Sequence, residues 1–232
     1  MKILAIDTSA TAASVAICEE NKLIGEFFIN TALTHSQTLM PMTEQLLKST
    51  GLSLNDIDAF AINAGPGSFT GVRIGVSAVK GLCFANNLPC ISVSTLQSMA
   101  YNMLGSECIV CAVMDARCSQ VYNAMFKVKG NTVERLTDDR AISLSELKLK
   151  IERYSEKIVL VGDGAEITEH FLNKEFDNVE LASISNRAQK ASSTAIAGFE
   201  KLKSGETMSC EQLMPVYLRL PQAQRELNLR KH

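Results

Sequence analysis

Residues 2–7 read Lys-Ile-Leu-Ala-Ile-Asp, and residues 108–115 read Cys-Ile-Val-Cys-Ala-Val-Met-Asp. Each is an apolar run closed by an aspartate, the pattern of a buried strand with a carboxylate at its tip. The first is followed by strand-like runs at 13–19 (ASVAICE) and 22–30 (KLIGEFFIN), with a small, polar turn from Thr8 to Thr11. The second is followed by VYNAMFKV and a further strand at 131–136. After the first meander, residues 35–50 read as a helix stopped by Gly51, with Pro41 as a kink or as the start of its main part. A strand at 57–63, the loop AGPGSFTG, a helix at 70–86 and a strand at 89–93 come next, and Ser94 or Thr95 caps another helix. After the second meander, a helix at 143–154 opens on Ser143 with Glu146 as its capping box, and a strand at 157–161 runs into GDGAE. Each half is thus meander, helix, strand, Gly-rich turn. Repetition at this scale implies two related α/β subdomains facing each other across a cleft. The division falls near Gly105–Glu107, giving an N-terminal subdomain of residues 1–105 and a C-terminal one of 106–232. The latter ends in a basic tail with Arg219, Arg225, Arg230 and Lys231.

Composition narrows the function. The chain has 232 residues, 46% hydrophobic and 21% charged, a globular balance with no sign of disorder. Lys and Arg number 23 against 25 Asp and Glu, for a net charge of −2. Phosphate contacts supply most nucleic-acid affinity, so a chain without a basic surplus is expected to meet RNA only beside another subunit. No signal peptide or membrane span is expected, because the N-terminus enters a strand and Arg73 and Lys80 interrupt the longest apolar stretches. Seven cysteines without framework spacing fit a reducing cytoplasm. Cys108 and Cys111 form a nominal CxxC, but residues three apart on a strand point to opposite faces and cannot share a metal.

Two hairpins that each follow an Asp-tipped strand resemble the plan of the actin-like, sugar-kinase and Hsp70-like ATPase superfamily. In that plan backbone N–H groups of the two turns grip phosphates, and the aspartates help place a metal ion or water. The implied fold is a duplicated actin-like/Hsp70-like (ASKHA) α/β fold. The implied phosphate-side residues are Asp7, Thr8, Ser9 and Asp115. An ordinary hairpin with an Asp or Thr capping its turn accounts for the first of these equally. The turn after Asp115, Ala-Arg-Cys-Ser, is bulkier than the Gly-rich turn of active ATPases. Gly162-Asp-Gly164 reads as a nucleotide-side turn or as a tight strand-to-helix turn needing positive φ.

Finer resemblance lies in Asn63-Ala-Gly-Pro-Gly-Ser-Phe-Thr-Gly-Val-Arg-Ile-Gly75, ILAIDTSATAASVAI at the start, THSQTLMP at 34–41, MDARCSQVY at 114–122, VGDGA at 161–165 and PVYLRLPQA at 215–223. In this order they resemble the TsaB (YeaZ) family across the whole chain. The resemblance implies a non-catalytic partner subunit in forming threonylcarbamoyladenosine (t6A) on tRNA. It also implies pairing with the catalytic paralogue TsaD, docking of the ATPase TsaE, and self-pairing as a homodimer when alone. TsaD, once called a glycoprotease, carries the ATP, metal and transfer chemistry. Its H-x-x-x-H metal ligands fall on Thr95 and Met99 of this chain, neither of them a usual ligand. His35, His170 and His232 are far apart in sequence, so no metal, no cofactor beyond weak ATP or ADP binding, and no catalysis are expected.

Function is then expected at a surface. The 70–86 helix has one stripe of Gly71, Gly75, Ala78, Leu82 and Ala85 and another of Val72, Val76, Val79 and Cys83. A helix apolar on more than one side is buried on more than one side. The small stripe suits a second helix, though burial within one domain accounts for it as well. The resemblance places the TsaD contact on helices of the N-terminal half. There Leu39, Met42 and Leu46, with Met40 and Leu47, lie beside Gly71, Gly75, Ala78 and Leu82 as candidate interface residues, methionine adapting to several partners. His35 is expected to cap its helix or join the interface. Two other readings compete: an ATP-dependent small-molecule kinase of the same superfamily, and a glycoprotease-like peptidase. The first needs an intact second phosphate turn. The second needs a metal, or a base for a nucleophile such as Ser68.

Overall fold

The computed structural model describes residues 1–31 and 33–219. Arg225, Arg230 and Lys231, expected in the basic tail with Arg219, lie outside the described residues. Strands β1 (Lys2–Asp7), β2 (Ala13–Glu19) and β3 (Lys22–Ile29) form the first meander. Helix α1 (His35–Thr50), β4 (Ala59–Gly65), α2 (Phe69–Asn86) and β5 (Cys90–Ser94) follow, and α3 (Thr95–Ala100) ends the half. The second half has β6 (Glu107–Asp115), β7 (Gln120–Lys129), β8 (Thr132–Arg135), β9 (Arg140–Ser143), α4 (Leu144–Ile151) and β10 (Ile158–Val161). It continues through α5 (Ala165–Leu172), β11 (Val179–Leu181), α6 (Ile184–Arg187) and α7 (Ala191–Lys203).

The strands form two sheets of one plan, β3-β2-β1-β4-β5 and β8-β7-β6-β10-β11. In each, the Asp-tipped strand is central, antiparallel to its meander neighbour and parallel to the strand after the first long helix. The second sheet adds β9, which shares the ten-residue β7 with β8: β8 pairs with 126–129 and β9 with 120–123.

Alternation along β1 decides the packing of the first sheet. Leu4 and Ile6 face one way, into a core with Leu39, Met42 and Leu46 of α1 and Val72, Val76, Val79 and Cys83 of α2. Ile3 and Ala5 face the other way, and there α7 lies on small residues: Ala16, Ala59 and Ala61 against Ala191, Ala195 and Ala197. Gly198 permits this approach, since a Cβ there would come within 3.2 Å of the Ala61 methyl. The second sheet is covered on one face by Leu144, Leu147 and Ile151 of α4 and on the other by Leu96, Met99 and Ala100 of α3. Each half therefore lends a helix to the other's sheet. α3 and α7 also meet directly, through Ser98 and Thr194, whose hydroxyls are 3.0 Å apart.

Helix α1 is continuous from its Thr34/Gln37 capping box to Gly51, which is left-handed at φ 67°, with Pro41 inside it. It starts at His35, not at Pro41. The predicted 143–154 helix starts as expected on the Ser143/Glu146 box but ends at Ile151. No helix among the described residues is long and apolar enough to cross a membrane.

Candidate functional site: an interlobe cleft and an apolar helical face

The tips of β1 and β6 face each other across a cleft of about 510 Å³. Its first wall is the β1–β2 turn with the starts of α1 and α2. Its second is the turn after Asp115, with Tyr122 and Asp163.

On the first wall the predicted phosphate-side residues are engaged with the chain itself. Asp7 is buried, and its Oδ1 accepts hydrogen bonds from the Ser9 amide and the Ser9 hydroxyl, both at 2.7 Å. Its Oδ2 accepts from the Asn63 amide group at the end of β4. Burial pushes the Asp7 carboxyl up, against the hydrogen bonds from Ser9 and Asn63 and the nearby His35. Thr8 donates its hydroxyl to the Gly71 carbonyl at 2.8 Å, and the Ser9 carbonyl accepts the Ser68 amide at 2.6 Å. The glycines of the 63–75 loop allow this contact. A Cβ on Gly71 would stand 2.1 Å from the Thr8 carbonyl oxygen, and one on Gly75 would stand 2.3 Å from the Thr8 hydroxyl. The loop seats α2 on the hairpin turn. His35 does the same for α1, its Nε2 lying 2.8 Å from the Ala10 carbonyl oxygen. Ser68 caps α2 by accepting the Gly71 amide, and among the described residues no hydrogen bond joins it to a histidine.

On the second wall, Asp115 turns back onto its own hairpin. It accepts the Arg117 amide at 2.7 Å and pairs with the Arg117 guanidinium at 3.2 Å. Arg117, Cys118 and Ser119 are all left-handed, at φ 65°, 56° and 53°. Each costs about 1–2 kcal/mol relative to glycine in that conformation, and none brings glycine's close approach to a ligand. The Ala116 carbonyl accepts Arg219 Nη1 at 2.5 Å, and the Ser119 carbonyl accepts the Leu144 amide. Gly162 has φ 115°, the tight strand-to-helix turn, and a Cβ there would meet the Val113 carbonyl oxygen at 2.0 Å. Beside it, Asp163 lines the cleft, its side chain exposed there but hemmed by both walls, which removes part of its hydration. That desolvation, with Asp115 and Asp7 nearby, pushes its carboxyl up to about 6 against a hydrogen bond from Gln189.

Thr95 and Met99 sit away from the cleft, fully buried on α3. Met99 packs in the second sheet's core and against the Gly162 turn, and the Thr95 hydroxyl has no hydrogen-bond partner. An enclosed hydroxyl and a thioether are a poor donor set for zinc or a hard cation. These residues do not fit a metal of the kind the resemblance implies for TsaD.

The expected interface residues divide between the core and the surface. Leu39, Met42, Leu46, Gly71 and Gly75 are buried in the chain's own core, because their sides of α1 and α2 face β1, β2 and β4. Ala78 and Leu82 are half-buried and reach the surface. Beside them an outer groove is formed by Met40, Pro41, Leu47, Leu54 and Leu82, with Met40 46% exposed. Phe84, two residues after Leu82 and so on another side of α2, is 76% exposed. Sequence reasoning passed over Phe84, whose signal was a large aromatic out of phase with both stripes. It also passed over Tyr217, which stacks on Phe69 at 4.7 Å and accepts a hydrogen bond from Arg73.

Residues 29–227 match the family model described as TsaD: tRNA N6-adenosine threonylcarbamoyltransferase. The chain is 34% identical over 223 residues to the tRNA threonylcarbamoyladenosine biosynthesis protein TsaB of Escherichia coli, covering 94% of this chain and 95% of that protein. It superposes on YeaZ from Pseudomonas aeruginosa with a TM-score of 0.76 and 29% identity, over 94% of this chain and 99% of that one. The fold extends to the ADPNP-bound activator of 2-hydroxyisocaproyl-CoA dehydratase from Clostridium difficile, with a TM-score of 0.51 and 11% identity over 89% and 97% of the two chains. Duplicated sheets of one order, the Asp-tipped hairpins and the seated Gly-rich loop thus coincide with likeness over nearly the full length: the chain belongs to the TsaB (YeaZ) family.

Proposed function

We propose that this protein acts in t6A formation on tRNA as a non-catalytic partner subunit, pairing with and activating a TsaD-type catalytic paralogue through the outer face of α1 and α2. The observation that carries this reading is the contrast between cleft and face. The groups that would handle phosphate are spent on internal contacts: Asp7 on Ser9 and Asn63, Thr8 on Gly71, Asp115 on Arg117. The groove of Met40, Pro41, Leu47 and Leu82 is apolar and has no cover within the described chain. Large exposed apolar groups set side by side mark partner surfaces.

In this reading the protein needs no cofactor of its own and binds ATP or ADP weakly at most. TsaE docks on the assembled pair, and tRNA is met only through the complex, in keeping with the net charge of −2. Alone, the same face pairs two copies of the chain, and the setting is cytoplasmic. The kinase reading would need a second turn open to phosphate, where 117–119 instead hold three left-handed residues, none of them glycine. The peptidase reading would need a metal or a base, where Thr95 and Met99 are enclosed and His35 is bonded to Ala10.

The test is depletion of the protein in its cells, with t6A measured in digested tRNA by mass spectrometry. Thr95→Ala should restore the modification, while Met40→Arg and Ala78→Arg, both at the surface of the proposed face, should not. Gly75→Arg is unsuitable, since Gly75 faces Thr8 and the substitution would test folding. Unchanged t6A on depletion would overturn the proposed function. Full restoration by Met40→Arg and Ala78→Arg would overturn the proposed face.

A further inference from the structure

Cys83 lies near the C-terminal end of α2, and Cys90 opens β5. All seven cysteines are free thiols, yet the sulfurs of this pair are only 3.0 Å apart. A disulfide bond is about 2.05 Å long, so closing it needs a movement of about 1 Å. No comparable pairing joins Cys108 and Cys111, which enter different cores on opposite faces of β6. The pair is buried, but its cover is thin. Cys90 is held against Met208 by an isolated two-hydrogen-bond bridge, and half-exposed Cys210 follows two residues later. The two thiols are also electrically unequal: the Cys83 thiol and Lys80 hold Cys90 below the usual cysteine range, and the Cys83 thiol is pushed up.

We infer that Cys83 and Cys90 are a redox modification site, a dithiol that a hydroperoxide converts to a disulfide when the 208–210 segment opens. The Cys90 thiolate attacks one peroxide oxygen. A sulfur–oxygen bond forms, the oxygen–oxygen bond breaks, and the other oxygen leaves as alkoxide and takes up a proton. This gives Cys90 sulfenic acid and an alcohol, or water when the oxidant is hydrogen peroxide. The Cys83 thiol then attacks the Cys90 sulfur, the disulfide forms, and hydroxide leaves with the thiol proton as water. Two thiols are oxidised, one hydroperoxide is reduced, and the thioredoxin or glutathione class of thiol reductant reverses the change. The bond would tie the last turn of α2, which carries Phe84, to the first sheet.

The experiment treats the folded full-length protein with hydrogen peroxide, denatures it in an alkylating agent and digests it with chymotrypsin without reduction. Trypsin would leave both cysteines in one peptide, since no Lys or Arg lies between Lys80 and Arg117, whereas cleavage after Phe84 separates them. The expected product is a Cys83–Cys90 linked peptide pair in both the wild type and Cys210→Ser. In Cys83→Ala the link is lost, and dimedone labels Cys90 as the stranded sulfenic acid. Full alkylation of Cys83 and Cys90 after treatment that has oxidised exposed Cys118 would overturn the inference, as would a link found only to Cys210. Should Cys83→Ala fail to fold, the wild-type and Cys210→Ser maps still decide.

Discussion

At the scale of single residues, glycines and carboxylates carry the argument in opposite senses. Gly75 meets the Thr8 hydroxyl where a Cβ would be, whereas Gly81 on the outer side of α2 has nothing within 4 Å. Gly75→Ala should therefore destabilise by roughly 1–3 kcal/mol through overpacking, and Gly81→Ala should stabilise by about 1 kcal/mol through helix propensity. Urea midpoints of the two variants check this, and equal shifts would refute the inward placement of Gly75. Asp163 carries a pH dependence. Its folded-state carboxyl sits at about 6, above the ordinary aspartate value of 3.8. Between those values the folded chain holds a proton that the unfolded chain has lost, so this contribution to stability falls as pH rises and is fully lost above about 6. Asp163→Asn should raise the urea midpoint above that pH, with the gain vanishing towards about pH 4. A gain that is constant with pH would show that the carboxyl titrates normally. The sequence could show that Asp7 and Asp115 stand at strand tips, because apolar runs end there. It could not show that Asn63, 56 positions away, closes on Asp7, because such a bond depends on strand order.

At the scale of elements, the legible segments are those whose signals are local. The Asp-tipped strands, α1 with its Gly51 stop and α4 with its Ser143/Glu146 box all carry their own starts and stops. Helix α7 does not. Its N-cap is Lys190, which supplies no side-chain hydrogen bond. The caps come from the first sheet: Ser14 Oγ accepts the Ala191 amide at 2.8 Å, and Glu26 accepts the Ser192 amide at 2.9 Å and the Ser192 hydroxyl at 2.8 Å. A helix capped by strands more than a hundred residues away has no local start signal to read. The stripes of α2 are ambiguous in sequence for a related reason. Periodicity finds two apolar sides, but the one that meets the chain's own sheet is fixed only when the hairpin turn docks on Gly71 and Gly75. Glu26→Ala should cost about 1–2 kcal/mol, the value of a lost N-cap, and Glu26→Gln less, since it keeps an acceptor but not the charge at the helix N-terminus. Equal stability of Glu26→Ala and the wild type in urea would show that α7 is fixed by its apolar face alone.

At the scale of the molecule, duplication sets the plan and the crossings between halves make it one body. Both sheets have the same strand order, but α3 covers the second and α7 covers the first, so neither half is closed without the other. The segment after α7 adds a third crossing. Leu213 is buried in the first core, the Val216 amide bonds the Ala64 carbonyl at the end of β4, and Tyr217 stacks on Phe69 at the start of α2. Arg219 then reaches across the cleft to the Ala116 carbonyl, the contact that holds the second hairpin turn from the first lobe's side. This turn carries the three left-handed residues, so its backbone is held against an intrinsic preference to relax. A part-exposed hydrogen bond from a charged donor is worth about 1 kcal/mol, roughly a five-fold change in the opening equilibrium. Arg219→Ala should therefore speed hydrogen exchange at the amides of Arg117 and Gln120 by about that factor, with Arg219→Lys recovering part of the protection. The amides of 110–113 in the middle of β6 should be unchanged, because their bonds belong to the sheet. Faster exchange across the whole second sheet would mean that Arg219 holds the lobe and not the turn. Unchanged exchange at Arg117 and Gln120 would mean that the turn is kept closed by Asp115 and Leu144 alone.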